Sequence, residues 1–233
     1  MKKILICLVF LISSITVASF ANELYVDQIG NGLDLTITQT GNGNAIGSNT
    51  QSVELTGNNM TFAITQSGDN NIISAVISGN TYTGTWVFNG NDNVVDLTCD
   101  ETSGTNCENV TLDITTNGDS NTFNVYIGET ADSQGLAATF IVDGDNNVVN
   151  TTVNGANATL TVSIDSTGKA SGNTLTMTVA GDGATGNTGH SVNLDHTGGG
   201  GTIAINQSGA TENNKIDMTS SGDNANVSIT QSN

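Results

Sequence analysis

Two of the three cysteines, both histidines and a scatter of acids are the residues of this chain whose types and spacing could do chemistry. Cys99 and Cys107 have seven residues between them. In an oxidising compartment such a pair most simply forms one disulfide closing the polar segment Asp100 to Asn106. Metal binding is the competing reading, but no histidine or second cysteine pair lies nearby to complete a zinc site. His190 and His196 are the only histidines and are flanked by glycine-rich stretches. A hydrolytic site around either would need a nucleophile and an orienting acid, which this spacing does not supply, so both read as exposed turn or ladder residues. Asp69, Asp119, Asp145 and Asp223 each directly follow a glycine. Stacked along one edge they would make a carboxylate row that calcium could bridge, although the G-G-x-G-x-D calcium-roll signature is missing. Acid pairs able to act as a glycosidase dyad are not evident, because the acids are scattered through turns. The chain reads as a non-enzyme with no cofactor, calcium remaining open.

Threonine runs form a different kind of array. Thr36 and Thr38, then Thr81, Thr83 and Thr85, then Thr174, Thr176 and Thr178 alternate as T-x-T. On a flat face such runs resemble the hydroxyl arrays of ice-binding solenoids, whereas the plain reading is that Thr suits an exposed strand.

The first residues give an address. Lys2 and Lys3 precede an apolar run from Ile4 to about Ala18, followed by Ser19-Phe20-Ala21. This is the pattern of a secretory signal peptide over residues 1–21, too short for a good membrane span, and Cys7 leaves with it. The expected mature chain, 22–233, keeps Lys169 and Lys215 as its only cations against all 22 acidic residues. No basic stripe exists to displace counterions from phosphate, so neither nucleic acid nor anionic lipid is an expected partner, and membrane insertion is not expected. The acidity suits solubility during export and mutual repulsion of subunits before assembly.

Such a Gly-rich, Pro-free sequence would be disordered unless its apolar residues kept a register. They do. Glycines followed closely by Asn or Asp recur at Gly30, Gly41, Gly57, Gly68, Gly79 and Gly90, at intervals of 11, 16, 11, 11 and 11 residues. The series resumes at Gly118, Gly144, Gly155, Gly168, Gly181, Gly198, Gly209 and Gly222. Four and two residues before these glycines stand Ile37 and Gln39, Ile64 and Gln66, Trp86 and Phe88, Ile114 and Thr116, Phe140 and Val142. Three and five residues after them stand Asn44 and Ile46, Asn71 and Ile73, Asn93 and Val95, Asn121 and Phe123, Asn147 and Val149. Period-two alternation of β-branched and aromatic residues on both sides of a fixed turn means strand, turn, strand.

The pattern predicts an all-β chain: a β-solenoid of stacked two-strand coils of roughly 22 to 26 residues, with an excursion near 99–107. A β-sandwich is the alternative, disfavoured because its strands occupy different environments and would not keep one residue type at one offset. In a solenoid, inward amides can ladder from coil to coil, and the candidates are Gln28, Gln39, Asn44, Gln66, Asn71, Asn93, Asn121, Asn147, Gln207 and Gln231. Gly41, Gly68, Gly90, Gly118, Gly144 and Gly209 are the turn glycines.

The segment Asp34-Leu35-Thr36-Ile37-Thr38-Gln39-Thr40-Gly41-Asn42-Gly43-Asn44 resembles the repeat of curlin, the curli fibre subunit, in its Q-x-G-x-x-N core and alternating strand. Glu23 to Gly30 is similar, and Gln66 to Asn71, Gln207 to Gly209 and Ile229 to Asn233 are partial copies. The chain departs from that repeat where curlin carries Ala two residues after the Asn, here Ile46 and Ile73, and in Phe88, Thr116 and Val142 replacing Gln. The resemblance implies a secreted, extracellular, amyloid-like subunit that polymerises with itself for adhesion or biofilm matrix, served by a nucleator and a dedicated outer-membrane secretion system. The alternative function is a capped monomeric solenoid acting as an adhesin, ice-binding protein or phage-type fibre segment.

Overall fold

The computed structural model describes residues 22–47, 51–99, 107–128, 133–166, 172–180, 190–208 and 214–232. Among them are twenty strands and no helix. In chain order they are β1 (Glu23–Leu24), β2 (Asp27–Ile29), β3 (Asp34–Thr40), β4 (Ala45–Ile46), β5 (Val53–Thr56), β6 (Met60–Ser67), β7 (Ile72–Ser78), β8 (Tyr82–Asn89), β9 (Val94–Cys99) and β10 (Thr111–Asn117). Then follow β11 (Thr122–Ile127), β12 (Ser133–Gln134), β13 (Ala137–Asp143), β14 (Val148–Ala156), β15 (Thr159–Ser166), β16 (Thr174–Ala180), β17 (Ser191–Gly198), β18 (Thr202–Ser208), β19 (Lys215–Ser221) and β20 (Asn226–Ser232).

These strands make two sheets. The first runs β1-β4-β7-β9-β11-β14-β16-β18-β20, with β2 and β5 in its first two layers and β12 beside β14. The second, of eight strands, runs from β3 through β6, β8, β10, β13, β15 and β17 to β19. Every described pairing is parallel. The chain therefore alternates between the sheets and climbs one layer per coil. That is a β-solenoid, and it removes the sandwich alternative, whose sheets are antiparallel.

The shortest coil carries Asn71 onto Asn93, 22 residues later, which is two 11-residue units with nothing added. Other coils take 24, 26, 27, 28 or 32 residues, wider than the sequence pattern predicts. Each longer one contains residues outside the described set, such as 100–106 in the 28-residue coil. The 16-residue glycine interval has a local cause: the coil from Ala45 is split between β4 and β5, with 48–50 outside the described residues.

Strand alternation points every second side chain between the sheets, where it stacks on its counterparts above and below. Ile37, Ile64, Trp86, Ile114, Phe140 and Val162 form one such row. Of the inward residues read from the glycine offsets, all but the half-buried Gln39 are buried. Size is matched row by row. Gly84 stands between Phe62 and Leu112 in an inward row, and a Cβ there would collide with the Tyr82 ring, which fills the space. Trp86 packs edge-on to Phe62 with centroids 5.7 Å apart, and Phe88 of one sheet meets Phe123 of the other at the same distance. Edge-to-face packing adds roughly 0.5–1.5 kcal/mol per pair beyond area burial. Complete burial pushes the Tyr82 hydroxyl above the usual tyrosine range. The Trp86 indole N–H pulls the other way, but it is committed to the Phe62 carbonyl at 3.1 Å, which leaves the tyrosine hydroxyl without a hydrogen-bond partner.

Candidate functional site

The corner that leads from the second sheet to the first is a four-residue device. Gly68-Asp69-Asn70-Asn71, Gly90-Asn91-Asp92-Asn93, Gly118-Asp119-Ser120-Asn121 and Gly144-Asp145-Asn146-Asn147 all build it. The glycine allows close approach: Gly90 has φ +142°, and a Cβ on it would strike the carbonyl of Gly68 one coil away. The second residue accepts from the coil above it, as Asp69 Oδ1 does from Asn91 N (2.7 Å) and Asn91 Oδ1 from Asp119 N (2.7 Å). The third sits in the left-handed region, φ 59° at Asn70, 55° at Asp92, 60° at Ser120 and 54° at Asn146, where Asn and Asp are least penalised.

The fourth residue is the buried asparagine, and here a ladder forms. Asn44 N donates to Asn71 Oδ1 (2.9 Å), Asn71 N to Asn93 Oδ1 (2.9 Å), Asn93 N to Asn121 Oδ1 (2.9 Å), and Asn121 N to Asn147 Oδ1 (2.8 Å). Each side chain thus satisfies a buried amide of the preceding coil, and its own amide group is used as well. Asn71 Nδ2 donates to the Gly68 carbonyl (2.7 Å), and Asn121 Nδ2 to Asn147 Oδ1 (3.0 Å). A polar row is affordable in a core only when it is satisfied in this way.

The ladder extends beyond the residues that the glycine offsets single out. Asn173 continues it, accepting from Asn147 N at 2.8 Å and donating to the Gly144 carbonyl at 2.9 Å, and Asn22 donates to Asn44 Oδ1 at its lower end (3.0 Å). Asn173 with Leu175 repeats the Asn-x-apolar signature, but the glycine of the repeat series, Gly168, stands five residues before it instead of three. A second, exterior ladder on the first sheet also went unmarked by any offset: Asn150 Nδ2 donates to Asn124 Oδ1 (2.9 Å), and Asn124 Nδ2 to Asp96 Oδ1 (2.6 Å).

The glutamines behave less uniformly. Gln66 Nε2 donates to Gln39 Oε1 (2.8 Å), but the next residue in that row is Phe88, and Gln66 Oε1 is left buried without a partner. Gln28 lies in register with Leu55, so no ladder runs through it within the chain. Gln207 is buried, donates to the His190 carbonyl (3.0 Å) and accepts from Gln231 Nε2 (3.0 Å), and Gln231 itself is exposed on the last strand. The glutamines therefore make two short pairs, because Phe88 stands at the Gln offset one coil above Gln66 and Leu55 stands over Gln28. Gly41, Gly118 and Gly144 stand at corners with positive φ like Gly68 and Gly90; Gly209, with Gly168 and Gly181, lies outside the described residues.

The expected carboxylate row is also corrected. Asp69, Asp119 and Asp145 do share one corner column above Asn42, but Asn91 separates Asp69 from Asp119, and the Asp69 and Asp119 carboxylates each accept a backbone amide of the next coil. Asp223 belongs to the same column, opposite the Gly199-Gly200 turn. Among the described residues no cluster of three or more His, Cys, Asp or Glu is placed to hold a metal ion. Cys99 and Cys107 are disulfide-bonded with Cα atoms 5.8 Å apart, and both are buried in the core. The bridge therefore lies in the core, within the coil, and not out on an excursion as the spacing suggested. His190 and His196 are buried rather than exposed: His190 Nδ1 faces the Ala158 amide (3.3 Å), and His196 Nδ1 contacts Ser220 Oγ (3.2 Å) from an inward row. The threonine runs fall on different sheets, Thr36, Thr38, Thr83 and Thr85 on the second and Thr174, Thr176 and Thr178 on the first, so they make no single array.

What remains open are the two ends. At one, the inward side chains Leu24, Val26 and Leu35 are only partly covered. At the other, Val227 and Ile229 are 40% and 45% exposed although they continue inward rows. No described helix or loop covers either edge. A shallow hollow of 200 Å³ beside Tyr25, Gln51 and Glu54 is smaller than a usual ligand pocket.

Fold and ladders together define a parallel, two-sheet β-solenoid with amide-laddered corners, whose outermost strands no described element covers. Comparison with protein-family models, with curated proteins and with solved structures finds no match.

Proposed function

We propose that this protein is a secreted structural subunit that assembles end to end into amyloid-like extracellular fibres of the curli type. The observation that carries this reading is the pair of open ends. Each is a strand edge with a described partner on one side only, and its inward apolar side chains would be buried by a further layer. Such edges gain hydrogen bonds and apolar burial by adding a parallel strand, and proteins that remain monomeric block them with charges, bulges or caps. Inward asparagines raise the specificity of the addition, since their bonds form only in register. Self is the partner this favours; a nucleator and an outer-membrane secretion system would serve export and initiation, as the curlin-like repeat at Asp34–Asn44 implies. The test is incubation of the processed protein at neutral pH, followed by thioflavin fluorescence and electron microscopy. Fibres with a strand repeat of about 4.8 Å along their axis are expected. A chain that stays monomeric through prolonged incubation would overturn the reading in favour of a capped binding module.

A further inference from the structure

The two sheets contain unequal numbers of layers. Nine lie along the first, from β1 to β20, and eight in the second, from β3 to β19. The first and last described strands lie in the same sheet, so each is a half coil projecting beyond the second sheet. If copies stacked without rotation, β20 would meet β1 and β2 of the next copy, while β19 and the next β3 would be held two layers apart with a strand missing between them.

We propose that successive copies instead join through a half-turn about the solenoid axis, so that β20 pairs with the next copy's β3, and β19 with its β1 and β2. This rests on the end-to-end assembly proposed above and specifies its geometry. A half-turn is permitted because both strands of a coil follow one template. Glu23–Ile29 before Gly30 and Asp34–Thr40 before Gly41 both place inward residues at their second, fourth and sixth positions. The spacing agrees at both ends: 11 residues from Glu23 to Asp34, and 11 from Lys215 to Asn226.

The residues brought together also match. Val227 falls on Leu35, Ile229 on Ile37 and Gln231 on Gln39, giving the Gln39–Gln66 pair a third member across the junction. On the other side Lys215, exposed on the outermost strand, comes opposite Glu23. Every strand edge is then paired, and no layer is missing. Adjacent copies present opposite sheets to a given side of the fibre, so its true repeat is two subunits.

Outward-facing cysteine pairs read the junction directly. Native thiols do not interfere, because Cys99 and Cys107 are bonded to each other and Cys7 leaves with the signal peptide. Thr38→Cys with Thr230→Cys in one chain reports the half-turn join, and Asp27→Cys with Thr230→Cys reports the unrotated one. All three positions are exposed, and the ends of one copy are about 35 Å apart, beyond the reach of a short thiol crosslinker within a single chain. Assembled fibres of each variant are treated with such a crosslinker and run on a denaturing gel. The first pair should yield covalent ladders at least tenfold more abundant than the second. The reverse result overturns the half-turn, and so does failure of both pairs in fibres that microscopy shows to have formed. If Thr38→Cys with Thr230→Cys impairs assembly, Thr40→Cys with Ser232→Cys reads the same junction. A wild-type chain without fibres fails the assembly reading itself, which microscopy distinguishes before any crosslinking.

Discussion

At the corner leading from the second sheet to the first, the buried fourth residue is Asn44, Asn71, Asn93, Asn121 and Asn147 in successive coils. At the opposite corner the corresponding residues are Leu33, Met60, Tyr82, Val110, Leu136 and Ala158, mostly buried and apolar except for the Tyr82 hydroxyl, until His190 and Asn214 take over in the last two coils. The asparagine corner keeps four residues between strands in five successive coils and takes seven at 167–173, whereas the opposite corner takes three at 57–59 and eleven at 100–110. Within those five coils the ladder fixes the path of the turn, because each asparagine side chain reaches the amide of the coil before it. An apolar column asks only for volume. Where the apolar corner does become polar, it reverts to the ladder's rule: His190 Nδ1 and Asn214 Oδ1 accept the amides of Ala158 and His190.

The largest expected effect tests this contrast. Inserting two glycines after Asp119 slips the ladder and the register of β11, and should cost more than about 4 kcal/mol or abolish the cooperative transition in urea. The same insertion after Gly104 falls in the long connection between β9 and β10 and should cost less than about 0.6 kcal/mol. Equal losses would dissolve the distinction between the corners.

A single rung gives the next effect. Asn121→Ala removes the acceptor of Asn93 N and of Asn93 Nδ2 and leaves both buried. Two orphaned donors should cost about 3 kcal/mol, read as a shift of the urea midpoint. A loss below about 1 kcal/mol would mean that the ladder merely accompanies the fold.

The smallest effect belongs to the apolar corner. Tyr82→Phe deletes a buried hydroxyl that lacks a partner, and should be neutral or stabilising by up to about 1 kcal/mol. It should also change the alkaline limb. Burial raises the folded-state pKa of Tyr82 above its unfolded value near 10. Above that value the unfolded chain releases the proton while the folded one retains it, so stability falls by up to about 1.4 kcal/mol per pH unit in that window. The variant should lose this slope, and an unchanged alkaline limb would show that another group carries it.

The sequence by itself determined the strand, the turn and the inward face. Alternation of apolar residues and the Gly-Asx corner are local properties, and a slip of one residue would have exposed every core side chain. Ile46, Ile73, Val95, Phe123 and Val149 are accordingly all buried. It also marked the asparagine ladder where each Asn follows its glycine by three residues. What stacks on what was decided only by the tertiary structure, because coil length varies with each insertion and fixes the vertical neighbour of every residue. For that reason Asn173 joins the ladder despite its displaced glycine and both histidines are drawn into the core, whereas in the uninserted 22-residue coil, where Phe88 stands over Gln66 and Asn91 over Asp69, the glycine offsets already give the neighbours. The unequal layering of the two sheets belongs to the same level: it depends on the sheet to which the first and last strands are assigned, which no local pattern in either strand records.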